Sequence, residues 1–254
     1  VAPKSDEDQG VLRADLTDYG QALEVLKDVD AVIHLANIPA PGLFPPALTF
    51  NTNMAMNFNV FHAAASCGLR RVVWASSETT LGLPFTTTKG LPPRYAPVDE
   101  AHYPVPTTTY SLSKVASETI AEEIAKWSKM PFVALRFSNI MEPEDYDAFP
   151  SWWSDPHLRK WNLWGYVDAR DVAASCRLSL EAPAEALGDS TALIIAAADT
   201  VMNRPSAGLL AEVFPGVALT RDIAEFETLL SIDRARDVIG YEALHSWRDH
   251  IGES

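Results

Sequence analysis

At 254 residues, with 47% apolar and 21% charged residues, the chain has the size and composition of one large globular domain, or a domain with a small lobe, and not of a disordered or fibrous protein. Lys and Arg number 20 against 34 Asp and Glu, a formal net charge of −14 that opposes binding to nucleic-acid phosphates or anionic membrane surfaces. Cys67 and Cys176 are too few for a disulfide framework and point to a reducing, cytoplasmic setting; no apolar run reaches membrane-spanning length, and the first ten residues lack a signal peptide's apolar core.

Asp18 to Lys27 reads as a helix with Asp18 as N-cap, followed by a short β-branched strand, Ala31 to Leu35. Asn37 to Pro46 carries four prolines and a glycine and is expected to be loop. A helix is predicted from about Asn51 to Cys67 with Gly68 as its C-cap, then a buried strand from Arg71 to Ala75. Leu81 to Thr107, rich in Pro and Thr, is expected to be a long surface excursion. Thr109 to Ser128 reads as helix and Phe132 to Arg136 as strand. Met141 to Trp164 is irregular; Asp168 to Glu181 is helical and Leu193 to Ala197 a strand. The tail is expected to hold helices near Ala207 to Val213, Glu225 to Leu230 and Ile232 to Ile239. Alternating strand and helix define an α/β fold, a doubly wound, Rossmann-like parallel sheet with a small mixed lobe. On this reading residues 1–141 and 166–198 form the sheet domain, and residues 142–165 and 199–254 the lobe.

No two of the 12 glycines lie closer than eight residues, so a G-x-G-x-x-G or P-loop signature is absent. The informative constellation is Tyr110-Ser111-Leu112-Ser113-Lys114. Tyr and Lys at i, i+4 are neighbours on one helix face, and a cation beside a phenol lowers its pKa towards neutrality. That makes a tyrosine an acid or base near pH 7. The strand before it ends in Ser76-Ser77-Glu78-Thr79, where parallel sheets place their ligands, so a hydroxyl there can hold a substrate oxygen.

Taken in order, these segments resemble the NAD-dependent epimerase/dehydratase family of extended short-chain dehydrogenases/reductases. Asp15-Leu16-Thr17-Asp18 resembles the segment whose Asp meets the adenine, and Val32 to Asn37 (V-I-H-L-A-N) resembles the V-I-H-L-A-A turn lining the cofactor ribose. Asn53 opens a segment like N-v-x-G-T-x-N-v, and Arg70 to Ser77 resembles the strand entering the catalytic serine. Tyr110 and Lys114 fall on the catalytic pair; Arg136 to Ile140 resembles R-x-x-N-v, and Tyr166-Val167-Asp168 with Asp171-Val172-Ala173 resembles y-V-d-D-v-A.

The resemblance implies an NAD(P)-dependent oxidoreductase or epimerase acting on a secondary hydroxyl of a sugar or sugar acid. Tyr110 would be the base, Lys114 would lower its pKa and hold the nicotinamide ribose, Ser77 would orient the substrate hydroxyl, and Asn53 would support them. NAD or NADP, with NAD favoured, would be held by Asp15, Leu16, Leu35, Ala36, Asn37, Ala75, Tyr110, Lys114, Phe137, Asn139 and Ile140. Ser77, Glu78, Asn139 and Trp164 would meet the substrate. The resemblance also implies a homodimer through the helices near Asn53 to Cys67 and Thr109 to Ser128, where Val60, Phe61, Ala64, Val115, Ile120, Ile124 and Trp127 give more than one apolar face.

Three departures stand out. The glycine-rich phosphate loop is missing with the family's first strand, first helix and second strand, which implies a sequence lacking its N-terminal βα(β) unit and the residue that separates NAD from NADP. Met56-Asn57 stands where the family has Gly-Thr, a change expected to tighten packing without touching proton transfer. Glu142-Pro143-Glu144-Asp145 replaces the usual Gly-Pro. Dehydratases of the family need Thr-Asp-Glu where this chain has Ser77-Glu78-Thr79, so elimination of water is disfavoured. The stretch between Asn139 and Tyr166 is shorter than in nucleotide-sugar 4-epimerases, and no arginine immediately precedes Tyr166, which favours a small free sugar or uronate; Arg159 and Lys160 remain available to a phosphate. Trp152, Trp153, Trp161 and Trp164 either stack on a sugar face or form the lobe's core. No histidine spacing suits a metal, and His34 reads as a packing residue at a strand end. A non-catalytic, cofactor-binding regulator is disfavoured because Tyr110 and Lys114 are both present.

Overall fold

A computed structural model describes residues 11–82, 92–102 and 104–251. In chain order the strands are β1 (Ala31–His34), β2 (Arg71–Ala75), β3 (Tyr95–Ala96), β4 (Phe132–Phe137), β5 (Ile140–Met141), β6 (Val167–Asp168), β7 (Ser190–Ile195) and β8 (Ala218–Leu219). The helices are α1 (Tyr19–Leu26), α2 (Pro46–Cys67), α3 (Thr109–Ser128), α4 (Ala169–Glu181), α5 (Ala184–Leu187), α6 (Ser206–Val213), α7 (Asp233–Ile239) and α8 (Trp247–Ile251).

The four longer strands form one sheet in the order β1-β2-β4-β7, parallel throughout, with Val73 opposite Val133 and Leu135 opposite Leu193. Alternate side chains enter two separate cores, the period of two of a strand. Val72, Trp74, Phe132 and Ala134 pack with Phe61, Ala64, Ala121 and Ile124 of α2 and α3. Val73, Val133 and Leu135 point to the other face, where Val172 and Cys176 of α4 join the lobe's Tyr146, Phe149 and Trp164. Apolar residues on both faces suit a parallel sheet covered by helices on each side. The doubly wound α/β arrangement read from the sequence is thus the observed one. β1 is an edge of this sheet, and no described residue pairs with its outer side.

Local signals set the helix ends. Asp18 accepts from the Gln21 amide at the start of α1, and Thr108 forms a capping box with Ser111 ahead of α3. α2 begins at Pro46, earlier than expected, because a proline suits the first helical position. Gly68, at φ +71°, ends it in the left-handed region.

Two expectations fail for the same reason. Residues 225–230 are not helical: Thr228 donates its amide to the Ala198 carbonyl and Ser231 to the Val98 carbonyl, while Leu229 and Leu230 are fully buried. Backbone groups used in such long-range pairing are lost to a helix. The partner segment belongs to the presumed surface excursion, of which residues 83–91 and 103 lie outside the described residues. Within the rest, Leu81, Ala96 and Val98 are fully buried, and β3 pairs with β8. Among the described residues no helix is long and apolar enough to cross a membrane.

Candidate active site

A cleft of about 370 Å³ opens at the carboxyl ends of β2 and β4, beside the start of α3, and is lined by Ser77, Glu78, Tyr110, Lys114, Asn37 and Trp161 among others. Parallel sheets present ligands at this end. β2 delivers Ser76 and Ser77. The Ser77 hydroxyl caps a 3₁₀ turn, Glu78–Leu81, by accepting from the Thr79 amide at 3.2 Å. The turn closes at Gly82, at φ +78°, where a Cβ would come within 2.6 Å of the Val105 Cβ, so only glycine fits.

α3 places Tyr110 and Lys114 one turn apart, 7% and 2% exposed. The Lys114 ammonium donates to the Asn37 Oδ1 at 2.6 Å and to the Ala75 carbonyl at 2.7 Å, and lies 5.5 Å from the centre of the Tyr110 ring. One turn further, Glu118 holds Arg136 of β4 and accepts from Ser76, pinning α3 to two strand ends. The proton affinities differ from the sequence expectation. Burial pushes the Tyr110 phenol up to about 12; the neighbouring Ser77 hydroxyl opposes that rise and the Glu78 carboxyl adds to it. Burial pushes the Lys114 ammonium down to about 7, against the pull of Glu118. The cation faces amide and carbonyl oxygens and the phenol ring, so its charge does not overcome desolvation of the phenolate.

Glu78, 3% exposed, accepts from the Ser138 hydroxyl at 2.7 Å and from the Asn162 amide at 3.2 Å. Burial pushes its carboxyl up to about 7, with those two bonds and the Arg159 charge acting in the opposite sense. Arg159 is 8% exposed, 4.6 Å from the Trp152 ring centre and 4.9 Å from that of Trp161. It is turned inward beneath the cleft instead of standing open to a phosphate.

Leu35, Asn37, Ala75, Phe137, Asn139 and Ile140 all line the cleft. Asp15, Leu16 and Ala36 do not. Asp15 is exposed and accepts from the amide and hydroxyl of Thr17, Leu16 packs against the α1–α2 core, and Ala36 is exposed beside the cleft. Asn53 is fully buried and grips the amide and carbonyl of Ile38, so it acts on the loop after β1 and not on the cleft directly. Trp164, expected to meet substrate, is fully buried; its indole donates to the Pro156 carbonyl and its ring packs on Phe214. The tryptophan that reaches the cleft is Trp161, and Ser138 and Trp161 are lining residues that the motifs did not single out.

Asn57 corrects the reading of the Met56-Asn57 departure. It accepts from the Asn37 amide and pairs with His34, each at 2.8 Å, and so connects to Lys114 through Asn37. Burial drives His34 down to about 4, so it is neutral and polar-bonded as well as packed on Phe61. Among the described residues no group of three His, Cys, Asp or Glu side chains is placed to hold a metal ion.

Residues 1–191 match the sequence model of the NAD-dependent epimerase/dehydratase family. The chain belongs to this family. Within its wider circle, the chain is 29% identical over 159 residues to an NAD-dependent glucose-6-phosphate dehydrogenase of Haloferax volcanii, covering 59% of this chain and 60% of that protein. It is 27% identical to a uronate dehydrogenase of Pseudomonas putida, covering 61% of this chain and 54% of that protein. The matches thus span little more than half the length of these relatives. The fold superposes on a solved UDP-galactose 4-epimerase with a TM-score of 0.64 at 24% identity, covering 94% of this chain and 79% of the other.

Proposed function

We propose that the chain oxidises a secondary hydroxyl of a small free sugar or sugar acid with a nicotinamide dinucleotide, NAD favoured over NADP. The observation that carries this reading is the meeting of Ser77, Tyr110 and Lys114 in one cleft whose rim holds Leu35 and Ile140, 55% and 47% exposed. Those two side chains are apolar surfaces suited to a planar ring, and Lys114, with two of its three N–H donors taken, keeps one for a ribose hydroxyl. The bound nicotinamide would supply the hydride-accepting carbon. Ser77 holds the substrate oxygen, and Tyr110 takes the hydroxyl proton as the carbon is oxidised to a carbonyl. That transfer is helped by a charged Lys114 and a neutral Glu78, states that both groups hold below about pH 7 and lose as the pH rises past it. We assign residues 1–141 and 166–198 to the cofactor half and residues 142–165 and 199–254 to the substrate lobe, which brings Trp161 to the cleft. The names of the two dehydrogenase relatives, one for glucose-6-phosphate and one for uronate, favour a substrate without a nucleotide, and the inward-turned Arg159 favours one without a phosphate. We further propose that two copies pair across α2 and α3.

A panel of free sugars, uronates and UDP-sugars, read at the NADH absorbance band with NAD and with NADP, tests the reaction. Net NADH with a free sugar or uronate is expected. Interconversion of a UDP-sugar without net NADH would make the chain an epimerase. With the substrate found, Tyr110→Phe is expected to lower kcat by about 10²–10⁴-fold while cofactor binding persists.

A further inference from the structure

Two of the chain's departures from the family pattern meet in space. Asn37 stands where V-I-H-L-A-A ends in alanine, and Asn57 where Gly-Thr has threonine. The structure joins them by a 2.8 Å hydrogen bond from the Asn37 amide to the Asn57 Oδ1. A side-chain amide has one carbonyl oxygen and one NH₂ group, so fixing one end fixes the other. Asn57 is itself held from three sides. Its oxygen accepts from Asn37 and pairs with the His34 Nε2, and its NH₂ donates to the Ser117 hydroxyl at 2.8 Å. Its side chain is fully buried, so none of these bonds competes with water. With its NH₂ directed to Asn57, Asn37 must turn its carbonyl oxygen the other way, onto the Lys114 ammonium at 2.6 Å.

We propose that Asn57 and Asn37 are a positioning pair for Lys114: Asn57 orients the Asn37 amide, whose oxygen takes one N–H of the ammonium and leaves a single N–H directed to the cleft. Alanine and threonine at these places provide no such chain. The inference rests on reading Lys114 as the functional lysine, but its consequence is felt by the lysine without cofactor or substrate. Burial disfavours the charged ammonium, and each oxygen bonded to it offsets part of that cost. The other groups facing it are the Ala75 carbonyl, the Glu118 carboxylate one turn on, the Tyr110 and Trp74 rings, and His34, which is neutral.

The test follows the Cε resonance of Lys114 in protein carrying ¹³C-labelled lysine, assigned with Lys114→Met and titrated against pH in the whole chain. Asn37→Ala is expected to lower the Lys114 midpoint by about one unit, tenfold in its proton affinity. Asn57→Ala is expected to lower it in the same direction. The double variant should titrate no lower than Asn37→Ala alone, because both act through one bond. Thermal melts separate loss of fold from loss of positioning, and Asn57→Thr takes the place of Asn57→Ala should the latter not fold. An unchanged midpoint in Asn37→Ala, an unchanged midpoint in the Asn57 variant, or shifts that add in the double variant would overturn the proposal. Absence of both NADH formation and sugar interconversion in the substrate panel would instead overturn the catalytic reading and leave the titration result standing.

Discussion

Glu78 is a buried carboxyl whose ionisation costs the fold stability. Its carboxyl ionises near 4.5 when solvated but near 7 where it is buried beside Ser138 and Asn162. A carboxyl whose folded pKa is raised destabilises the fold wherever the unfolded chain is ionised first. The penalty is absent below about pH 4.5, grows between 4.5 and 7, and is complete above 7, where it amounts to roughly 3 kcal/mol. Glu78→Gln keeps the shape and removes the charge. The variant should therefore melt higher than the parent at pH 8 and close to it at pH 5; a gap of the same size at both pH values would show that Glu78 is not the titrating group. No spacing rule exposes this residue's setting. Glu78 follows Ser77 in sequence, but the groups that bury it come from β4's end and from the lobe. The same holds for the tryptophans. Trp161 and Trp164 are three apart and chemically alike, yet one lines the cleft and the other is core. Tyr110 and Lys114 were legible because their relation is local, one turn of one helix. The direction of the tyrosine's pKa was not, since it depends on burial that only the folded chain creates.

At the scale of elements, what could be read in the sequence is what short-range chemistry decides. β2 and β4 are apolar on both faces, α3 carries its own capping box, and α2 ends at the glycine that the left-handed region requires. The segments that misled are those whose partners are distant. Residues 225–230 have helical composition, but the Thr228 amide donates to the Ala198 carbonyl and the Leu229 carbonyl accepts from the Val98 amide. Gly165 shows how tightly the lobe is docked by such contacts. A Cβ there would lie 2.7 Å from a Leu230 methyl, 2.9 Å from the Ser138 hydroxyl and 3.1 Å from the Asn162 carbonyl. Those neighbours are a core leucine, a Glu78 partner and the residue holding the other Glu78 oxygen. Gly165→Ala should cost about 1–3 kcal/mol by overpacking, read as a lowered melting temperature. A melting temperature equal to the parent's would mean that the lobe yields around this position.

At the scale of the molecule, the outer surface of α2 and α3 is where a second copy would sit. Several apolar residues that first suggested this, Val60, Phe61, Ala64 and Ile124, are buried against the chain's own sheet and are unavailable. What the two helices leave outside is a different set: Leu48, Phe58, Leu112 and Trp127 are 49%, 46%, 44% and 59% exposed. Phe58 stacks on His62 at 5.5 Å and His62 meets Trp127 at 6.0 Å, so part of this surface is continuous across both helices. In a two-fold pairing each substituted residue appears on both sides of the contact. Phe58→Glu or Trp127→Glu would therefore remove two apolar side chains and add two like charges to the interface. If the proposed pairing holds, the parent should sediment as a dimer at micromolar concentration and each variant as a monomer. The net charge of −14 on every copy adds a salt dependence whose sign is fixed: self-repulsion is screened as ionic strength rises, so added salt should strengthen the parent dimer. A parent chain that remains monomeric at micromolar concentration in both low and high salt would exclude the pairing.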